Sequence, residues 1–136
     1  MALGDFNFFS WKSKEQRERE QEEYNEWAFP HGLEQRENFE KLLGEMFTKS
    51  DLPFAMMGFL TCKELYERYL KKYNSSERAV NILLNEDKGY RNIIKKKEMP
   101  RCIALVLADA QVDESCAYPT VEELRKSIAE IEAMRK

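Results

Sequence analysis

Apolar side chains in most of this chain recur at intervals of three and four residues. Such spacing lines them along one face of an α-helix, whereas a half-buried strand needs alternation. Phe39, Leu42, Leu43, Met46 and Phe47 follow the i, i+3, i+4, i+7, i+8 pattern and predict a helix over residues 33–48. Glu37 and Lys41 support it from the solvent side as an i, i+4 pair. A second helix is expected over residues 53–73, capped by Ser50 or Asp51 and tolerating Pro53 in its first turn. Its first half, residues 54–60, is apolar all round and reads as deeply buried. Its second half narrows to Cys62, Leu65, Tyr66, Tyr69, Leu70 and Tyr73, opposite Glu64, Arg68, Lys71 and Lys72. At 1.5 Å per residue this helix is roughly 30 Å long, the width of a small domain, and it is the expected central element.

Punctuation divides the rest. Asn74-Ser75-Ser76-Glu77 offers a cap with a glutamate three residues on, the mark of a fresh helix start. Val80, Leu83 and Leu84 continue that helix; residues 85–89 interrupt it, and Tyr90, Ile93 and Ile94 resume the stripe, so residues 76–97 fit either one helix or two. Pro100 stops whatever precedes it. Residues 102–108 are apolar throughout and fit a buried strand or a buried helix equally by periodicity. A strand needs a partner, and no second strand-like run exists, so a short buried helix over residues 100–112 is the expectation. A last helix follows Pro119, with Thr120 and Glu123 in a capping-box pattern and Val121, Leu124, Ile128, Ile131 and Met134 at three- to four-residue spacing.

The N-terminal third differs. Residues 12–23 carry no hydrophobic side chain, and Lys14/Glu18, Glu15/Arg19 and Arg19/Glu23 favour a helix while Glu18/Glu22 and Glu22/Glu26 oppose it. Each pair is worth only roughly 0.2–0.5 kcal/mol. Aromatic groups bracket the stretch: Phe6, Phe8, Phe9 and Trp11 before it, Tyr24, Trp27 and Phe29 after it. The resulting expectation is an all-α fold, a compact bundle of about five or six helices with a highly charged N-terminal helix. Residues 1–30 form the aromatic segment and charged helix, docked on a helical bundle domain of residues 31–136.

With 136 residues and 43% hydrophobic side chains, the chain is long enough for one cored domain and excludes collagen-like or wholly disordered readings. Cys62, Cys102 and Cys116 include no C-x-x-C pair and lack the even count of a disulfide framework. Two of them lie in apolar runs, so a reduced, cytoplasmic setting is expected. The N-terminus has no basic region followed by an apolar stretch and does not read as a secretory signal. Residues 52–62, the longest uncharged apolar run, number 11, too few to span a bilayer. Net charge is −3, but residues 51–101 hold 11 basic and 7 acidic groups between two acidic flanks.

No phosphate loop, nucleophile elbow or Glu-x-x-His metal pattern is present, so no cofactor is implied and a non-enzymatic role is favoured. The sole histidine, His31, sits in a turn, and a zinc site would have to gather it with three distant cysteines. Asp109, following the apolar run, reads first as the exposed edge or cap partner of a short helix and second as a site carboxylate. Phe8, Phe9, Trp11 and Trp27 are the aromatics least explained by the bundle stripes. They are the candidate surface for a protein partner or self-association, since aromatics are enriched in interface hot spots. The alternative is an acidic partner or nucleic acid held by Lys71, Lys72, Lys95, Lys96 and Lys97, near Tyr66, Tyr69 and Tyr73. A small enzyme built from Cys102, His31 or Asp109 and scattered carboxylates is a further alternative. None of these readings names a partner or a process.

Overall fold

Burial of the three- and four-spaced stripes produces six α-helices and no strand among the described residues, which in this computed structural model are 13–28, 30, 32–87, 89, 92–112 and 117–136. They are α1 (Lys14–Ala28), α2 (Gly32–Met46), α3 (Leu52–Tyr73), α4 (Ser76–Asn81), α5 (Met99–Gln111) and α6 (Val121–Ala133). A π-helical turn, Ile82–Glu86, extends α4, and a 3-10 turn, Lys96–Glu98, leads into α5. The all-α bundle expected from periodicity is thus the observed fold.

α3 and α5 form the centre. α3 packs against α4 and α5, α5 also packs against α6, and α2 closes the bundle across α3 and α6. Phe39 of α2 and Phe59 of α3 meet at 4.6 Å between ring centroids, and Tyr118 lies 5.2 Å from Phe39 on its other flank. Leu43, Leu83, Ile94, Met99, Ile103, Leu105 and Leu124 are also among the largest fully buried side chains. Each such side chain stabilises the fold by roughly 1.5–3 kcal/mol relative to exposure.

Local chemistry sets the boundaries. Gly32, at φ +87, opens α2 in a backbone conformation that side-chain-bearing residues rarely adopt. α3 begins at Leu52 with Pro53 in its first turn; Asp51 precedes it but makes no side-chain cap bond, its carboxylate accepting from Thr48 Oγ1 at 2.9 Å instead. Asn74 ends α3 in the left-handed region at φ 51, donating its N–H to Leu70 O. Ser75, rather than Asn74, therefore caps α4, its Oγ accepting from Arg78 N at 3.2 Å. The Thr120–Glu123 capping box forms reciprocally at the start of α6.

Two expectations are corrected. Residues 54–60 are not buried all round: Phe54 is 72% and Met57 54% exposed, because α5 covers only the face bearing Gly58 and Phe59. No helix resumes at Ile93 and Ile94; residues 92–94 form turns and a bend, which bury Ile94 while leaving Ile93 52% exposed. The run from residue 76 is one helix that widens into a π turn and stops at Asp87.

Candidate functional site

Three arrangements carry polar or accessible chemistry. The first is a buried ionic node. Lys63 lies on the buried face of α3, one turn from Phe59 and Tyr66, and is only 7% exposed. Its Nζ stands 3.7 Å from Asp109 Oδ2 on α5 and donates to the carbonyls of Trp27 and Ala28 at the end of α1. A cation there matches the negative end of the helix dipole. Tyr118 donates its hydroxyl to Asp109 Oδ1 at 2.5 Å. Burial first, and the bond to Asp109 second, push the phenol well above its usual range, so its proton stays fixed. Asp109 is 3% exposed, which overturns the helix-edge reading: its carboxylate is the anionic partner of Lys63 inside the core. The node joins α1, α3, α5 and the segment before α6, and its groups are spent on one another.

The second arrangement is a partly apolar cleft of about 380 Å³ between the first turns of α3, the turn at Ile93–Ile94 and the start of α5, with charged side chains among its lining. Gly58 and Leu105 line it, with Cys102 beside them and Phe54, Phe47 and Ile93 along its sides. A Cβ at Gly58 would stand 3.2 Å from Cys102 Sγ, so a side chain there would have to push the thiol aside. Arg101 stacks over the Phe47 ring at 4.6 Å. Among the lining residues Asp51 and Glu98 balance Lys95 and Arg101 in number, leaving that set without net charge. Burial pushes the Cys102 thiol from its ordinary 9.0 up to about 12, and burial, reinforced by Cys102, raises Cys62 as well.

The third is a polar pocket of about 320 Å³ along α4 and its π turn, lined by Arg78, Asn81, Asn85, Lys96, Arg135 and Lys136 with Leu84 and Glu86. Arg78 also lies over the Tyr73 ring at 5.4 Å, and Lys72 Nζ is 5.2 Å from the same ring.

Among the sequence candidates, Phe8, Phe9 and Trp11 lie outside the described residues, as do Phe6, Phe29, His31, Tyr90 and Cys116. Trp27 is half-buried at the junction of α1 and α3; its Nε1 donates to Glu67 Oε1 at 2.8 Å, Lys63 Nζ lies 5.0 Å from its ring, and Tyr24 packs at 5.7 Å. Lys71 and Lys72 are exposed in the last turn of α3. Lys95, Lys96 and Lys97 are exposed too, but they diverge: Lys95 lines the apolar cleft and Lys96 the polar pocket. The five lysines therefore do not converge on one surface pocket. Lys63 was missed. The signal available was its place at i+4 from Phe59 and i−3 from Tyr66, a charge on an apolar stripe.

Among the described residues, no helix is long and apolar enough to cross a membrane, and no group of three or more His, Cys, Asp and Glu side chains is placed to hold a metal ion. Comparison with protein-family models, with curated proteins and with solved structures yields no match to this chain, which leaves its geometry as the ground for a functional reading.

Proposed function

We propose that this chain is a non-enzymatic protein-interaction module of the cytoplasm, and that its cleft between α3 and α5 receives a short, uncharged apolar segment of a partner protein. One observation carries the reading: Phe54, Met57 and Ile93 are all more than half exposed, two of them beside a cleft floored by core residues. Large apolar groups left in water lose roughly 25 cal/mol per Å², a loss that docking recovers. The balanced charges of the lining match a segment without net charge and penalise an acidic or basic one by desolvation. Cys102, the nucleophile within reach, is held as a thiol, which suits binding rather than covalent chemistry. The free, buried Cys62 and Cys102 suit a reducing compartment.

The test is a peptide-display selection against the full chain, followed by hydrogen-exchange mapping. Selected peptides are expected to carry large apolar side chains without net charge, to protect backbone amides of the first turns of α3 and α5, and to lose binding to Phe54→Asp and Ile93→Asp. Both substitutions fall on exposed side chains, so circular dichroism should be unchanged. Selection of charged peptides only, or equal binding to both variants, defeats the proposal.

A further inference from the structure

We infer that the pocket formed by α4, its π turn, the 3-10 turn and the C-terminal residues is a binding site for the phosphate group of a small ligand. Four cationic side chains, Arg78, Lys96, Arg135 and Lys136, line it against one carboxylate, Glu86. They come from three separate stretches of chain, so the fold gathers them. Arg78 and Glu86 pair at 3.3 Å with both side chains about half exposed, a pair that water screens and an incoming anion can replace.

Arg135 is the more telling residue. Its guanidinium is mostly buried; Nη1 donates to Glu132 at 3.0 Å and Nη2 to the Lys96 carbonyl, which aligns the plane of the group. Its Nε is buried and has no hydrogen-bond partner among the described residues. Buried donors are nearly always paired, so this unpaired one, in a residue that lines the cationic pocket, gains an acceptor when Arg135 shifts to meet an incoming anion. The guanidinium fork suits the oxygens of a phosphate. With Arg78 paired to Glu86 and Arg135 to Glu132, the charges of Lys96 and Lys136 form the excess, which favours a dianion over a carboxylate.

The pocket is also braced. Asn85 Nδ2 donates to Asn81 Oδ1 at 2.9 Å, and Asn85 Oδ1 accepts from the backbone N–H of Lys136 at 2.9 Å, clipping the residues after α6 onto the π turn. A volume of about 320 Å³ is at the lower end of the range for small-molecule sites, enough for a phosphate and a small attached group.

The experiment titrates inorganic pyrophosphate into the full chain at low salt, following the Arg135 Nε–H resonance and the heat of binding. Saturable one-to-one binding that moves this resonance is expected. Lys96→Gln and Arg78→Gln, both exposed side chains, should each weaken it by about tenfold. Lys71→Gln, an equal loss of charge outside the pocket, should leave it unchanged. The inference fails if the Arg135 resonance does not respond, if Lys71→Gln weakens binding as much as Lys96→Gln, or if acetate binds as tightly. It also fails if a single-stranded oligonucleotide binds and pyrophosphate does not compete, because the phosphates would then be read along a surface. Phe54→Asp tests the apolar cleft alone and should not alter pyrophosphate binding.

Discussion

α1 has 15 residues and α5 has 13, yet α1 buries Ala28 alone whereas α5 buries eight side chains, Asp109 among them. α5 is helical because α3 and α6 pack on it and remove its apolar surface from water. α1 draws on weak local terms: Ser13 Oγ accepts from Gln16 N at 3.0 Å, and Lys14 and Glu18 pair at 3.9 Å with both side chains well exposed. A helix of that length is marginal by itself. What holds it among the described residues is its C-terminal end, through Lys63, Glu67 and the burial of Ala28. Two helices of similar length thus stand for two sources of order, one from packing along a face and one from anchorage at a point.

The contrast predicts a graded set of responses. Ile103→Ala, in the buried face of α5, should cost about 4 kcal/mol of unfolding free energy in a urea titration. A loss below 1 kcal/mol would show that α5 does not carry the core. Lys63→Met should cost about 3 kcal/mol, because it strands the Asp109 carboxylate in the interior. It should also speed hydrogen exchange throughout the last turns of α1 while leaving α6 protected. Lys63→Met with Asp109→Leu should recover much of the stability but not the protection of α1, which separates the ionic pair from the anchorage.

A further effect is set by pH and develops only above the ordinary thiol range. The fold accepts the neutral Cys102 thiol, so its contribution is full below the ordinary value of 9.0. As pH rises from there toward about 12, the unfolded chain ionises while the folded chain keeps its proton, and stability falls. Cys102→Ala should flatten this alkaline decline relative to the parent, measured as the difference between the two urea curves at each pH. A parallel decline in both would remove Cys102 as its source. Least of all, Lys14→Ala in α1 should change stability by no more than about 0.5 kcal/mol, and less in high salt.

The helices were legible because their apolar stripes and caps are local. Thr120 and Glu123 specify a start within four residues, and Phe39 to Phe47 specify a face within nine. The cleft was hidden because exposure of Phe54 depends on which neighbour covers α3, a fact held in residues 40 and more positions away. The ionic node was half visible: Asp109 drew notice, but its partner Lys63 is 46 positions earlier, and only tertiary packing brings the two together. The polar pocket was less visible still. Arg78, Lys96 and Arg135 are ordinary surface cations until the segment after α6 returns to the π turn.

The π turn Ile82–Glu86 also constrains chain length. It holds one residue more than an α-helical turn would; its last residue, Glu86, reaches Arg78, and Asp87 just after it accepts from the Tyr69 hydroxyl at 2.5 Å. Removing a single residue there would rotate everything that follows by about 100° about the helix axis. Both contacts would swing away, and Asn85 would lose its hold on the C-terminal residues. Single-residue deletions should therefore be purged from this short stretch even where substitutions are accepted, so its spacing is inherited more strictly than its spelling.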